Sequence, residues 1–468
     1  MKKIFSIIAL MLAMVGCMSN NTAEEQVVES GYDKYNSVVY EFNVRQATVE
    51  GTFAAAEKYL PELKNMGVDI VWLMPISPIG VDGRKGTLGS YYSIIDYKAI
   101  NPEFGTMDDF KHFLDAAHDL GLKVIIDWVA NHTSRDANWW NEGKKDWYVI
   151  DPETELPIVE YDWTDIAKLN YENQDMRAAM KEALCYWIEL GVDGYRCDVA
   201  MNVPADFWQD AWTAVKAINP DVYLLAEGEE KWLQECGFDA TYAWELHHIF
   251  NAMAKGGSET KNVAGDGTIK TDAKTVADLK EYIARDEVNY PAPHMRLMFT
   301  SNHDENSWAG TEYERMGDAY KAFATLTFVL PQGQPLIYTG QEIGLNRRLQ
   351  FFEKDSVVEL VDLEYGTQMR TYYKNMAAFR HANKALAAGE NVAPVVYMEG
   401  APETVLAFTR EKEDNKVFCL FNFSVEPQVV TITEAVAGDY TSPCGKTFTL
   451  KAGEQLELGA WDCKVMSK

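Results

Sequence analysis

Short runs of apolar, β-branched and aromatic residues recur along this chain, separated by longer stretches whose apolar positions fall three and four apart. The runs are VVYEFNV (38–44), DIVWLMP (69–75), KVIIDWV (123–129), VDGYRCDV (192–199), VYLLAE (222–227), FDATYAW (238–244), MRLMFTS (295–301) and QPLIYTG (334–340). Segments such as TFAAAEKYLPELKNMG and TMDDFKHFLDAAHDLG keep helical spacing and end on glycine. Strand, helix, strand repeated in this way calls for parallel strands joined by right-handed crossovers. About eight such units predict an α/β fold of the closed (β/α)8 type, a TIM barrel, rather than an open sheet.

The polar residues agree with that reading. Asp127, Asn131 and His132 follow the third run, Arg196 and Asp198 lie in the fourth, Glu227 closes the fifth, and Asn302, His303 and Asp304 follow the seventh. A barrel builds its site on the face where strands end. An open sheet would favour a glycine-rich phosphate loop after its first strand, and no GxGxxG occurs there. Two stretches break the alternation. Residues 133–172 form a long connection rich in Trp and Tyr after the third strand, expected to overhang the site as a domain of its own. Residues 254–275 are polar and rich in glycine, a solvated excursion. The barrel is expected over 37–390, and the alternating runs of 391–468 predict a C-terminal antiparallel β-sandwich.

Composition narrows the partners. With 43 Lys and Arg against 71 Asp and Glu, the formal charge of −28 repels nucleic acid and anionic lipid headgroups. The first 17 residues, MKKIFSIIALMLAMVGC, join a basic start to an apolar run and read as an export signal. Their end, MVGC, resembles a bacterial lipoprotein box, which implies cleavage before Cys17, acylation of that residue, and an exported, membrane-anchored protein. Residues 18–36 then act as a polar tether. The other six cysteines show no zinc-type spacing; free thiols and a Cys444–Cys463 disulfide are both open.

The stretch GVDGYRCDVA (191–200) puts Arg196 and Asp198 two apart, on one side of a strand. Facing the barrel axis, the permanent guanidinium is expected to hold Asp198 as an anion. Glu227 in LLAEGEE has no basic neighbour in its local sequence but has Glu229 and Glu230 close by, so burial and like charge are expected to raise it. A carboxylate nucleophile beside a carboxylic acid is what retaining glycoside cleavage requires.

DWVANH (127–132), GVDGYRCDVA, LLAEGEE (224–230) and FTSNHDEN (299–306) resemble, in order and in strand position, the four signature regions of the α-amylase family of glycoside hydrolases. PLIYTGQEIG (335–344) is similar to that family's eighth-strand segment, and AKLNYEN (167–173) to the neopullulanase and cyclomaltodextrinase subgroup. The resemblance covers about residues 38–380 and implies Asp198 as nucleophile, Glu227 as general acid/base and Asp304 as third carboxylate. It further implies that Arg196 orients Asp198, that His132 and His303 bond sugar hydroxyls, and that Tyr92 stacks on the sugar ring. The expected activity is retaining hydrolysis of α-1,4-glucosidic bonds in starch-derived glucans and maltooligosaccharides, with no cofactor for the chemistry. An α-glucosidase, a cyclomaltodextrinase or neopullulanase and a glucanotransferase share the machinery; a non-catalytic glucan-binding lipoprotein would not need the three acids. Calcium is expected in many relatives, partly through an asparagine at the position of Asn131 and a carbonyl near Asn202. The aspartate-rich calcium loop of some relatives is absent from NVRQATVEGTF, and Met201 and Asn202 replace the Lys-His pair of many α-amylases. The short tether leaves no room for the subgroup's N-terminal dimerisation domain, so no oligomeric state is implied.

Overall fold

The eight apolar runs pair side by side in chain order and close on themselves. In the computed structural model, which describes residues 32–256, 259–261, 268–270, 272–290, 292–355 and 363–468, they form one barrel. Its strands are β1 (Val39–Phe42), β2 (Ile70–Leu73), β3 (Lys123–Trp128), β4 (Gly194–Cys197), β5 (Tyr223–Ala226), β6 (Ala240–Tyr242), β7 (Met295–Met298) and β8 (Gly333–Tyr338). Every neighbouring pair is parallel, including β1 with β8, so the expected TIM barrel is the observed one. The export signal, Cys17 and most of the tether lie outside the described residues.

Strand alternation divides the barrel into two chemically different layers. Tyr40, Phe42, Val71, Leu73, Val124, Ile126, Tyr195 and Leu224 point outward into the core shared with the helices. Their neighbours Val39, Ile70 and Ile125 point inward and fill the barrel floor. One step further toward the strand ends, the inward positions become Glu41, Trp72, Asp127, Arg196 and Tyr242. Glu41 pairs with Trp72, and Asp127 with Arg196, in the strand register. The polar layer is therefore a consequence of register, not of a loop. Gly194 permits it, because a Cβ there would lie 1.9 Å from the carbonyl oxygen of Tyr223.

The helices follow their sequence signals. Over Met107–Asp119 the Thr106 hydroxyl accepts from the Asp109 N–H while the Asp109 carboxylate accepts from the Thr106 N–H. Phe110, Phe113, Leu114 and Ala117 then bury one face. The helix over Leu60–Met66 ends at Gly67, whose φ of +91° and close approach to Ala377 both require glycine.

The connection after β3 is a small subdomain. His132–Ser134 and Ile166–Lys168 form an antiparallel pair, with short helical turns at Asn138–Asn141 and Lys145–Trp147. Within the polar excursion, Glu259–Lys261 pairs antiparallel with Thr268–Lys270. Beyond the barrel stand a six-stranded antiparallel sheet and a two-stranded one, sharing a core that includes Val405, Phe418, Val430 and Leu458. Three strands not read from the sequence complete them: Val396–Tyr397, Gly438–Thr441 and Cys463–Ser467.

Fully buried Arg410 fastens this domain to the barrel. It donates to the carbonyls of Val329 and Leu330 at 3.0 Å and of Ala393 at 3.1 Å, at the end where β8 begins. No cysteine among the described residues forms a disulfide: Cys444 is exposed beside Ser442, while Cys463 contacts Thr325 of the barrel. No helix among the described residues is long and apolar enough to cross a membrane.

Candidate active site

The ladders of β4 and β5 run one residue past their strands. The N–H of Asp198 donates to the Trp128 carbonyl and that of Glu227 to the Cys197 carbonyl, both at 3.0 Å, which fixes both acids at the barrel mouth. Beneath them Arg196 is fully buried. Its Nη1 lies 3.0 Å from Asp198 and 3.0 Å from Asp127, its Nη2 lies 2.8 Å from Glu227, and its Nε donates to the Tyr242 hydroxyl at 3.1 Å. The rings of Trp72 and Tyr242 flank the guanidinium at 5.0 and 5.5 Å. A single cation thus bridges the two acids read as nucleophile and proton donor.

Two sequence expectations change here. Glu227 does have a basic partner, Arg196, brought from the neighbouring strand; Glu229 is drawn away by Arg296 at 2.8 Å. Arg196 favours the Asp198 anion but does not prevail. Burial and the neighbouring Glu227 charge outweigh the guanidinium and push the Asp198 carboxyl well above its usual range. Local sequence could not show either, since one guanidinium is divided among three carboxylates from three strands.

The residue after Asp198 is strained. Val199 holds φ +36°, rare for a β-branched residue, and from there its N–H donates to Glu227 Oε2 at 2.8 Å.

His303 and Asp304 come from the segment after β7. Asn302 Oδ1 accepts from the Glu305 N–H at 2.8 Å, turning the chain. Buried Glu305 is 2.9 Å from His247 and 3.5 Å from Arg315. Burial would raise Glu305, but those partners win and hold it down at about 2. Asp304 Oδ2 lies 3.3 Å from His303 Nε2. Burial, opposed by His303 and reinforced by the Glu227 charge, pushes Asp304 up to about 6. Tyr92 stacks on His303, ring centroids 5.4 Å apart, and its hydroxyl lies 2.9 Å from His303 Nε2 and 3.0 Å from Asp127 Oδ2. His132 sits on the subdomain side, against the Tyr92 backbone and 5.6 Å from the Trp163 ring, with burial pushing it down to about 4.

The structure therefore gathers Asp198, Glu227, Asp304, Arg196, His303, Tyr92 and His132 around one mouth. Asp127, Trp72, Tyr242 and Glu41 belong to the same layer but were not singled out as site residues. The available signal was their inward parity within runs of otherwise buried residues.

The catalytic-domain pattern described as "Alpha amylase, catalytic domain" matches residues 39–389. The chain belongs to the α-amylase family.

Among individual α-amylase relatives, MalA of Haloarcula japonica is 29% identical over 434 residues, 88% of this chain and 59% of that protein. A cyclomaltodextrinase from a Bacillus species is 27% identical over 77% of this chain and 66% of its own length. The chain thus spans about three-fifths of the first of these curated relatives. Maltogenic α-amylase and neopullulanase also match, in keeping with the subgroup that AKLNYEN resembles. The crystal structure of a Lactobacillus plantarum α-amylase superposes with a TM-score of 0.79 at 28% identity, over 93% of this chain and 99% of that one.

The position expected to bind calcium does not suit it. The Asn131 amide donates to Glu160, and the Lys168 ammonium pairs with that same carboxylate. A calcium ion there would have to share the Glu160 carboxylate with a fixed cation. No group of three or more His, Cys, Asp or Glu among the described residues could hold a metal.

Proposed function

We propose that this chain is a retaining α-glycosidase that hydrolyses α-1,4-glucosidic bonds in maltooligosaccharides and starch-derived glucans. The observation that carries the reading is the bridge from Arg196 to both Asp198 and Glu227, with Asp304 joined to the same layer through His303. The names of matched relatives, among them α-amylase, cyclomaltodextrinase and neopullulanase, support the substrate class.

In this mechanism Glu227 protonates the glycosidic oxygen as Asp198 attacks the anomeric carbon, forming a glycosyl-enzyme and releasing the leaving sugar. Glu227, now a carboxylate, takes a proton from water, and the resulting hydroxide character displaces Asp198 with the original anomer restored. Arg196 contacts both acids, so it stabilises whichever of the two is anionic as the proton changes place. Asp304, His303 and His132 hold sugar hydroxyls, and Tyr92 packs against the ring. The chemistry requires no cofactor. Beside Asn131, Lys168 pairs with the Glu160 carboxylate that a calcium ion would need.

Product analysis on maltoheptaose, pullulan and a cyclodextrin, with the anomer followed by NMR, tests the assignment. Release of pure β-anomer from these α-linked substrates contradicts retention, and absence of hydrolysis on all three contradicts the activity.

We also propose that the chain is exported and held at a membrane through acylated Cys17, on the strength of the MVGC box. Labelling with radioactive palmitate should mark the parent and not Cys17→Ser.

A further inference from the structure

The barrel layer holds two carboxyl groups that the mechanism does not use, Asp127, which pairs with Arg196, and Glu41. Glu41, inward on β1, is fully buried; one of its oxygens meets His303 Nδ1, and the other, Oε2, has no hydrogen-bond partner. The cation that acts on Glu41, Arg196, is already divided among Asp127, Asp198 and Glu227. As a carboxylate, Glu41 would compete with three others for that cation and have only His303 as a hydrogen-bonding partner, against the cost of burial.

The partners of His303 decide where its proton sits. Burial, the largest influence on His303, disfavours the charged imidazole and so favours a ring with a single N–H. Its Nε2 faces the Tyr92 oxygen at 2.9 Å and Asp304 Oδ2 at 3.3 Å. The Tyr92 hydroxyl has a better acceptor for its own proton in the Asp127 carboxylate, 3.0 Å away. With that proton committed, a bare Nε2 would point its lone pair at two oxygens that have no hydrogen to offer. An Nε2–H satisfies both. Nδ1 must then accept, and among the described residues the group placed to donate to it is Glu41.

We infer that Glu41 is a positioning residue: as a neutral carboxylic acid it donates its O–H to Nδ1 of His303 and so keeps the imidazole N–H at Nε2, facing Asp304 and the sugar. The inference rests on the proposed glycosidase reading for its consequence, though not for the tautomer itself. Burial, reinforced by the Glu227 charge and only partly opposed by Arg196 and His303, pushes Glu41 well above the usual carboxyl range, in agreement. Glu41 touches no reacting atom. It acts by fixing which nitrogen of His303 donates, and thereby the orientation of Asp304.

Nitrogen-15 NMR of the full protein labelled at histidine, with His303 assigned by its loss in His303→Gln, reads the tautomer directly. Protonated Nε2 with bare Nδ1 at neutral pH is expected; a proton on Nδ1 overturns the inference. Infrared difference spectra between the parent and Glu41→Gln should show the carbonyl band of a protonated carboxyl in the parent alone, and its absence there also overturns it. Glu41→Gln, whose amide N–H can replace the O–H, should keep more of kcat on maltoheptaose than Glu41→Leu, which should lose about tenfold or more. A Glu41→Leu protein that keeps both the parent tautomer and the parent kcat sinks the positioning role. Should Glu41→Leu fail to fold, the two spectroscopic arms still decide. A parent that hydrolyses no glucan would refute the glycosidase reading and leave the tautomer result standing.

Discussion

The amide of Val199 reaches Glu227 Oε2 across 2.8 Å, from a backbone conformation that valine seldom adopts. The strain lies between the two acids of the site, directly after Asp198, and it aims a donor at the carboxyl group that must hand over a proton. Glycine at this position relieves strain of about 1–3 kcal/mol, against a smaller entropic cost. Val199→Gly should therefore unfold at a higher temperature than the parent while its kcat falls, because the amide is no longer held in place. Thermal unfolding and steady-state kinetics on maltoheptaose check both halves.

Asp198→Asn and Glu227→Gln should each lower kcat by at least about 100-fold, with the near-ultraviolet circular dichroism of the parent retained. Parent-like hydrolysis of maltooligosaccharides by either variant removes it from the mechanism.

Removing the shared cation should cost far more than activity. Arg196→Met leaves Asp127, Asp198 and Glu227 buried without their partner, a loss of about 3–5 kcal/mol. The deficit has a direction in pH. Without the guanidinium, Asp127 and Asp198, already raised by burial, rise further above their unfolded values, and such groups favour the fold at low pH and lose that contribution as pH climbs. The gap in unfolding temperature between variant and parent should be widest near neutrality and narrow on acidification.

Asp304 offers a separate reading of the same linkage. Its carboxyl stands at about 6 in the fold, above the unfolded value of about 4, so its ionisation opposes folding as pH rises through that window. Asp304→Asn should accordingly be more stable than the parent at pH 7 and lose the advantage at low pH, while its activity is largely gone. If the anion binds sugar hydroxyls, kcat/KM of the parent should fall as pH drops through about 6. A flat acid limb there would exclude Asp304 from substrate binding.

Chelation should leave the protein unmoved. With Lys168 paired to Glu160 beside Asn131, neither EDTA nor added calcium should shift the unfolding temperature, and calorimetric titration with calcium chloride should show no binding heat at this position. Lys168→Ala should lower stability by stranding a largely buried Glu160.

The eight barrel strands were legible because each is a short apolar run with a helical segment behind it, and the period changes cleanly between them. The acids at the strand ends were legible because motif order and strand position coincide. What escaped were relations between strands. That one guanidinium serves Asp127, Asp198 and Glu227, that Glu229 turns to Arg296, and that Glu41 backs His303 all depend on register around a closed sheet, which no local window contains. Gly438–Thr441 was missed because it is short and two of its residues are exposed, and Cys463–Ser467 because its two buried residues, Val465 and Met466, are adjacent rather than alternating.

Arg410 has a consequence for how the molecule can be cut and joined. Its guanidinium closes carbonyls at the foot of β8, the opposite end from the mouth that admits a glucan. A barrel excised near residue 390 would bare those carbonyls together with the apolar ground around them, and would be a poor candidate for a minimal soluble enzyme. Fusion partners appended at the C-terminus, by contrast, extend from a domain docked at the foot and leave the entrance clear.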